Sequence, residues 1–343
     1  MARAVATLPP DGHVVIDPIA DFKKRTRYSP RSGALHPEAV DQLEPNRRYE
    51  SFRPIEDTAG RDGIGAINYL FDADFYYYAG DGVVTSTLTV RRRGEVVPVT
   101  IKSARAVAEG GSGDMGEPVA LDFEKNDDHH TSALELAETF AEHHGPIRLM
   151  VEFEYEPGKR QEAALRIFTT PANAIPARFL GEYRDGPANG SLVVEAAVQV
   201  FEPGFYRFDA NLFSSDGIPL AFADFKGELI AGKQWVDLEF FGLLLRDLGV
   251  PGPYELRNLR GYLFLDSEYP DRLRMRDATS SYWTHPYDLN SFSDEEHMTP
   301  HKAHMLDLLQ QDQQAGLSVD TPGAPPASEM PTGEVAPSAS TSP

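Results

Sequence analysis

Residues 205–265, FYRFDANLFSSDGIPLAFADFKGELIAGKQWVDLEFFGLLLRDLGVPGPYELRNLRGYLFL, decide the fold class. Tyr206, Phe208, Ala210 and Leu212 alternate with Arg207, Asp209 and Asn211. A period of two puts one set on a buried face and the other in water, which is the pattern of a half-buried strand. Ser214-Ser215-Asp216-Gly217 follows, and Asp-Gly between two such runs is a hairpin signal. Leu220 and Phe222 continue on the far side. Val236, Leu238 and Phe240 alternate with Trp235, Asp237 and Glu239, which predicts another strand. Leu243–Leu248 reads as one helical stretch stopped at Gly249, a residue suited to the left-handed position after a helix. Pro251-Gly252-Pro253 turns the chain. Tyr254–Leu265 is apolar on both faces, as in a central or covered strand.

Composition agrees with a turn-rich β protein. The chain has 343 residues, 28 Gly, 27 Pro and a 41% hydrophobic fraction, enough for two cores. With 53 acidic against 32 basic residues the net charge is −21. Such a chain lacks the clustered Lys and Arg that nucleic-acid phosphates or an anionic membrane require, although divalent cations suit it. The absence of cysteine removes disulfides, thiolate zinc sites and cysteine nucleophiles. No apolar run reaches the roughly 20 residues of a membrane span. The first twelve residues, Met1–Gly12, carry no apolar signal-peptide core, so the chain reads either as cytoplasmic or as one whose signal has been removed.

Outward from the opening stretch, the pattern divides the chain. Residues 1–62 form an extended N-terminal arm, with His13–Ile16 as a short edge strand and Arg25, Arg27 and Arg31 as solvated charges. Residues 63–170 make a first β-sandwich and 177–292 a second, joined by Thr170–Pro176. In the first, Ile67–Tyr78 is one strand. Val84, Ser86, Leu88 and Val90 lie on the next, and Arg91–Gly94 is a hairpin tip. Thr131–His144 is predicted as an inserted helix, from Ser132 and Glu135 as a capping box and Leu134, Leu136, Ala137 and Phe140 as its face. Strands at Phe179–Tyr183 and Leu192–Phe201 open the second sandwich, and Tyr282–Trp283 and Tyr287–Phe292 close it. Residues 293–316 hold a short helix started by Thr299-Pro300, with Met305, Leu308 and Leu309 as its apolar stripe. Residues 317–343, rich in Pro, Ser, Thr, Ala and Gly, predict a disordered tail. The expected class is all-β, two tandem immunoglobulin-like sandwiches of ordinary size.

One resemblance adds to this. Gly204, Tyr206, Ala210 and Leu212, then Asp216-Gly217, then Phe240 and Gly242, then Gly249–Leu259, with Ser280, Tyr282 and Phe292 at the close, resemble the immunoglobulin-like modules of uncharacterised exported bacterial proteins. The resemblance covers about 178–292, and Tyr76–Val83 is similar to the start of such a module. It implies a sandwich fold and a periplasmic or extracellular setting, and it brings no catalytic residues.

Candidate sites are few. Asp127, Asp128, His129 and His130 are metal ligands by type. The simpler reading is that Asp127 and Asp128 favour the positive N-terminus of the predicted helix and His143 and His144 its negative C-terminus. A divalent cation is the one cofactor considered, in a metal-dependent hydrolase. Tyr76, Tyr78, Trp235 and Trp283 are candidate stacking residues for a carbohydrate, or ordinary strand aromatics. Asp209, Asn211 and Asp216 hint at calcium without the twelve-residue loop that binds it. No nucleophile elbow, metalloprotease motif, phosphate loop or dinucleotide fingerprint occurs. The expectation is a non-enzymatic exported or cell-surface protein, without a cofactor, that contacts a protein or a surface glycan.

Overall fold

The computed structural model describes residues 17–58, 65–110, 115–266 and 269–314. His13–Ile16 and the tail from 317 lie outside these. The chain separates into two compact units. The larger, Tyr28–Glu296, holds all the sheets. The smaller includes α1 (Pro18–Arg25) and α5 (Pro300–Gln314), which pack against each other.

Two pairs of sheets make up the larger unit, each pair enclosing its own hydrophobic core. In the first pair, one sheet contains β2 (Arg53–Pro54), β3 (Ile67–Ala73), β5 (Val83–Arg92), β6 (Glu95–Val96), β9 (Glu124–Lys125) and β10 (His130–Glu135). Its partner contains β4 (Tyr77–Ala79), β7 (Thr100–Ala108), β8 (Val119–Ala120), β11 (Gly145–Glu156) and β12 (Lys159–Thr170). All pairings are antiparallel except that of β4 with β12. Leu88, Ile147, Leu149, Val151, Phe153 and Ile167 are wholly buried between these sheets.

In the second pair, one sheet contains β1 (Ser32–Ala34), β15 (Gly204–Phe213), β16 (Pro219–Leu229), β18 (Glu255–Phe264), β19 (Arg272–Arg274) and β20 (Tyr282–Trp283). The other has three strands, β13 (Ala177–Ala188), β14 (Ser191–Val200) and β17 (Gly232–Phe240). Tyr206, Phe208, Ala210 and Leu212 enter the core as their alternation predicts. Across from them lie Leu192, Val194, Ala196 and Val198 of β14 and Val236, Leu238 and Phe240 of β17. The helix α4 (Gly242–Leu248) ends at Gly249 with φ +71°, as the sequence predicts.

Four sequence expectations need correction. The helix over Thr131–His144 is instead β10 followed by a single turn, α3 (Leu136–Thr139). Ser132, Leu134 and Leu136 are buried at period two. Leu136 fits a helical face with Ala137 and Phe140 and period two with Ser132 and Leu134, and the ten-residue β5, which pairs with β10 from His130↔Leu88 to Glu135↔Val83, supplies the ladder that selects the strand. The capping-box and dipole arguments for Asp127, Asp128, His143 and His144 lapse with that helix. Second, Ile67–Tyr78 is broken after Ala73, and Tyr77 crosses to the opposing sheet through β4. Third, Tyr287–Phe292 forms no strand: Leu289–Ser291 is a 3-10 turn that delivers Phe292 to the core.

Fourth, the described part of the N-terminal arm, residues 17–58, is structured. Asp17 accepts the Ile19 and Ala20 amides and Pro18 opens α1. β1 pairs with β16, where a Cβ on Gly33 would stand 2.6 Å from the Phe222 ring. Arg31 donates to the carbonyls of Asp224 (3.2 Å) and Asp237 (3.0 Å) and so is no solvated charge. After α2 (Val40–Leu43) the arm reaches the first pair of sheets, where Asn46 bonds both backbone groups of Tyr77, at 2.7 and 2.9 Å. It thus contacts both pairs. In the smaller unit, Thr299 caps α5 at the Lys302 amide (3.0 Å), as its sequence predicts. The half-buried side is Met305, Leu306 and Leu309, while Leu308 is exposed.

Candidate binding surface

Strand register gathers one end of the second sandwich. Val200 pairs with Gly232, Gly204 with Leu229, and Phe264 with Arg272. The turns 201–203 and 230–231 and residues 265–266 and 269–271 therefore lie at that end, and Ala177↔Val200 brings the linker beside them. Tyr206 holds them together: its phenol donates to the carbonyls of Pro176 (3.0 Å) and Glu202 (2.6 Å), while the Phe201 amide donates to Pro176 (2.8 Å). Burial raises the pKa of this phenol, so it remains a donor.

Large apolar side chains project around this end: Phe201 is 52% exposed, Phe205 40%, Ile230 70%, Phe264 37% and Tyr269 59%. Phe205 and Phe264 lie 5.8 Å apart, and Phe264 meets Tyr262 edge-on at 5.0 Å. The cations nearby are already engaged. Arg178 lies over Phe201 at 5.8 Å, and Arg272 lies over Tyr262 at 5.0 Å while bonding Asp271 at 2.8 Å. A trough of about 440 Å³ opens between the linker and the turns, lined by Ile175, Pro176, Leu263, Leu265, Glu202 and Asp266 among others. Its chemistry is apolar with carboxylates.

A second arrangement sits on the outward face of the larger sheet. Asp209 pairs across the ladder with Asp224 and Arg260. The Arg260 guanidinium contacts Asp209, and Asp224 receives Arg207 (3.4 Å) and Lys226 (3.0 Å). Desolvation raises the carboxyl pKa of Asp209 and Asp277 against the attraction of Arg260 and Arg274, and it also lowers that of Arg260. Arg207 Nε, Arg260 Nη1 and Asp224 Oδ1 have no hydrogen-bond partner among the described residues. Arg274 carries the cluster to the first pair of sheets, with its amide on Thr170 Oγ1 (3.1 Å) and its guanidinium over Tyr77 (4.7 Å). The arm adjoins the same face, where Asn211 donates to the Gln42 carbonyl at 2.7 Å. Asp209, Asp224 and Arg260 are paired and largely buried, with Asp277 exposed at the edge of the cluster, which suits a structural anchor.

The residues singled out from sequence do not converge. Tyr78 is buried, its phenol on Asp74, and burial followed by that bond raises its pKa. Tyr76 lies under the Arg48 guanidinium at 4.4 Å, and Arg48 is fixed by Asp72 (2.8 Å) and Glu50 (2.7 Å). Trp235 stands on the three-stranded sheet with Arg184 stacked at 3.7 Å, and Trp283 is exposed on β20, opposite Glu255. Asp127, Asp128 and His129 occupy the turn between β9 and β10, and His130 begins β10. Asp128 contacts His129 (2.6 Å) and Arg91 (3.2 Å), and the bond from His129, then the nearby charges, lower its pKa. Burial, then Lys125 and His129, lowers that of His130. Among the described residues no group of three or more His, Asp or Glu side chains is placed to hold a metal.

Sequence reading passed over Phe201, Phe205 and Phe264, and over Asp224, Arg260 and Asp277. For Phe205 a signal existed, since it falls on the polar side of a strand whose alternation is otherwise regular, whereas Phe264 belongs to a strand apolar on both faces and gave none. For the charges the signal was misleading: alternation marked Arg207 and Asp209 as outward, and outward was read as wet.

No family model and no curated protein matches the chain. Among solved structures it is similar to a DUF4785-family protein of Legionella pneumophila, at 15% identity and TM-score 0.43. That match covers 67% of this chain and 59% of that one, so the chain spans less than two thirds of its neighbour. It is also similar to trypsin-activated alpha-2-macroglobulin from Escherichia coli, at 9% identity and TM-score 0.22, over 66% of this chain and 16% of that one. A bacterial ice-binding adhesin is similar at 11% identity and TM-score 0.22, over 56% and 58%.

Proposed function

We propose that this chain is a non-enzymatic protein built on two immunoglobulin-like sandwiches, exported or displayed at the cell surface, that contacts a protein or a surface polymer and needs no cofactor. The sandwich reading is supported by the opposed sheet pairs and by two phenols. Tyr206 and Tyr254 each bond the carbonyl four residues upstream, of Glu202 (2.6 Å) and Val250 (2.8 Å), which is the tyrosine-corner arrangement of such domains. The exported setting rests on the module-like motifs over 178–292. Among the described residues no helix is long and apolar enough to cross a membrane, which says nothing of a β-barrel.

The observation that carries the binding role is the aromatic end of the second sandwich. Contiguous exposed aromatics beside a concave surface mark interaction sites more often than solvent-facing decoration. Fractionation of the native host, with a photo-crosslinker at position 205 or 264 and a control at Val96, tests both parts. A defined adduct from the aromatic end alone, in the envelope or medium, is the expected result. Recovery only from the cytosol would end the export reading, and equal labelling from all three positions would end the binding one.

A further inference from the structure

Resting on that reading, we infer that the trough at the aromatic end receives a Lys or Arg side chain from an apolar segment of a partner protein. The trough combines two features that suit such a side chain. Ile175, Pro176, Leu263 and Leu265 offer apolar surface for an aliphatic stem, and Glu202 lines the same space with carboxylate for its charged head. Its volume of about 440 Å³ accommodates a long side chain.

The surroundings give the sign of charge. Glu202 and Glu228 are exposed and make no ion pair among the described residues, and Glu228 lies directly across from Phe205. Arg272 is neutralised by Asp271 at 2.8 Å, and Arg178, which keeps its charge, lies over Phe201. The aromatic faces of Phe205 and Phe264 add attraction for a cation. A net charge of −21 on the chain steers cationic partners toward it and repels acidic ones. An acidic polysaccharide fits this surface poorly.

The test uses the full chain and two labelled peptides, one alternating Lys with Leu and one alternating Glu with Leu, with binding read by fluorescence anisotropy. The Lys-Leu peptide is expected to bind, more weakly as salt rises, and the Glu-Leu peptide not to bind. Glu202→Gln, on an exposed turn, should weaken binding roughly tenfold, and Phe205→Ser with Phe264→Ser should abolish it. Equal binding of both peptides, or no effect of Glu202→Gln, overturns the inference. If the Phe pair alone then abolishes binding, the docking end survives and only its charge preference falls. Absence of any peptide binding, capture of a surface polysaccharide at this end, or self-association lost in the Phe pair also overturns it. The crosslinking experiment separately decides whether the end docks anything.

Discussion

Asp209 of β15 and Arg260 of β18 are cross-strand partners whose side chains contact on the outward face of the sheet, with only 16% and 19% of their surfaces exposed. Taking one charge away leaves its partner in a poorly solvated site. Breaking such a pair costs about 3 kcal/mol, whereas replacing both members by apolar residues is close to neutral. Arg260→Met should therefore lower unfolding stability by about that amount in urea titrations, and the double change Asp209→Leu with Arg260→Met should recover most of it. Single and double variants equally unstable would mean that the pair does not act as a unit.

Asp277 supplies a pH dependence of its own. Its surface is exposed, but desolvation of the carboxyl by the chain packed around it raises its folded-state pKa above the ordinary 3.8, in spite of Arg274 and Arg260. A raised carboxyl pKa makes the ionised form a cost to the folded state. The cost is complete above the folded pKa and is relieved as pH falls through it toward 3.8. Asp277→Asn mimics the protonated acid at every pH. Its stability relative to wild type should therefore be more favourable at pH 7 than at pH 4, as melting temperatures in matched buffers will show. A difference that is flat with pH would show that Asp277 titrates normally.

How much of this was legible in the sequence follows from which signals are local. The ladder from Tyr206 to Leu212, the hairpin at Asp216-Gly217, the stop at Gly249 and the cap at Thr299 are all set by neighbours in the chain, and each is found as read. The segment Thr131–His144 is ambiguous locally, because Leu136 fits a helical face with Ala137 and Phe140 and a strand face with Ser132 and Leu134, and its outcome depends on β5, over forty residues away. The arm was missed for a related reason. Asp17-Pro18 with Lys23, Lys24 and Arg25 does signal α1, yet the docking of Ser32–Ala34 on β16 depends on an edge built from residues 219–229. The aromatic end is the least local feature, since the strand ends that carry Phe201, Ile230 and Phe264 come to one end only once the register is set.

Asp185 should behave in the opposite sense to Asp277. Its side chain is fully buried and accepts from the phenols of Tyr282 and Tyr287 (2.7 Å), from the His285 amide (3.0 Å), and contacts His285 Nδ1 (3.1 Å). Burial opposes ionisation, but these bonds outweigh it and hold the carboxyl pKa below 3.8. Burial followed by the bond to Asp185 pushes the Tyr282 phenol up to about 12. A depressed carboxyl pKa stabilises the fold above its unfolded value, and that stability is lost as pH falls through the folded one. Asp185→Asn should cost roughly 2 kcal/mol near neutrality and much less in strong acid. It should also bring Tyr282 ionisation to lower pH in ultraviolet titration. Unchanged stability at neutral pH would show that the four contacts contribute nothing net.

Gly242 tests the packing of the second sandwich most severely. It follows β17 at the start of α4, and its amide donates to Ser191 Oγ at 3.3 Å. A Cβ at this position would stand 1.9 Å from the Gly190 carbonyl oxygen and 3.1 Å from the Ser293 amide nitrogen. Both neighbours are backbone, and the Ser293 amide already donates to that same Gly190 carbonyl at 2.8 Å. Neither can yield without separating Phe292, and with it the closing segment, from the core. Gly242→Ala should destabilise by about 3 kcal/mol or more, whereas alanine at Gly186, where nothing lies within 4 Å of the added carbon, should not. Thermal melts of the two variants give the comparison. Equal tolerance at both positions would show that α4 does not pack against the Gly190 turn.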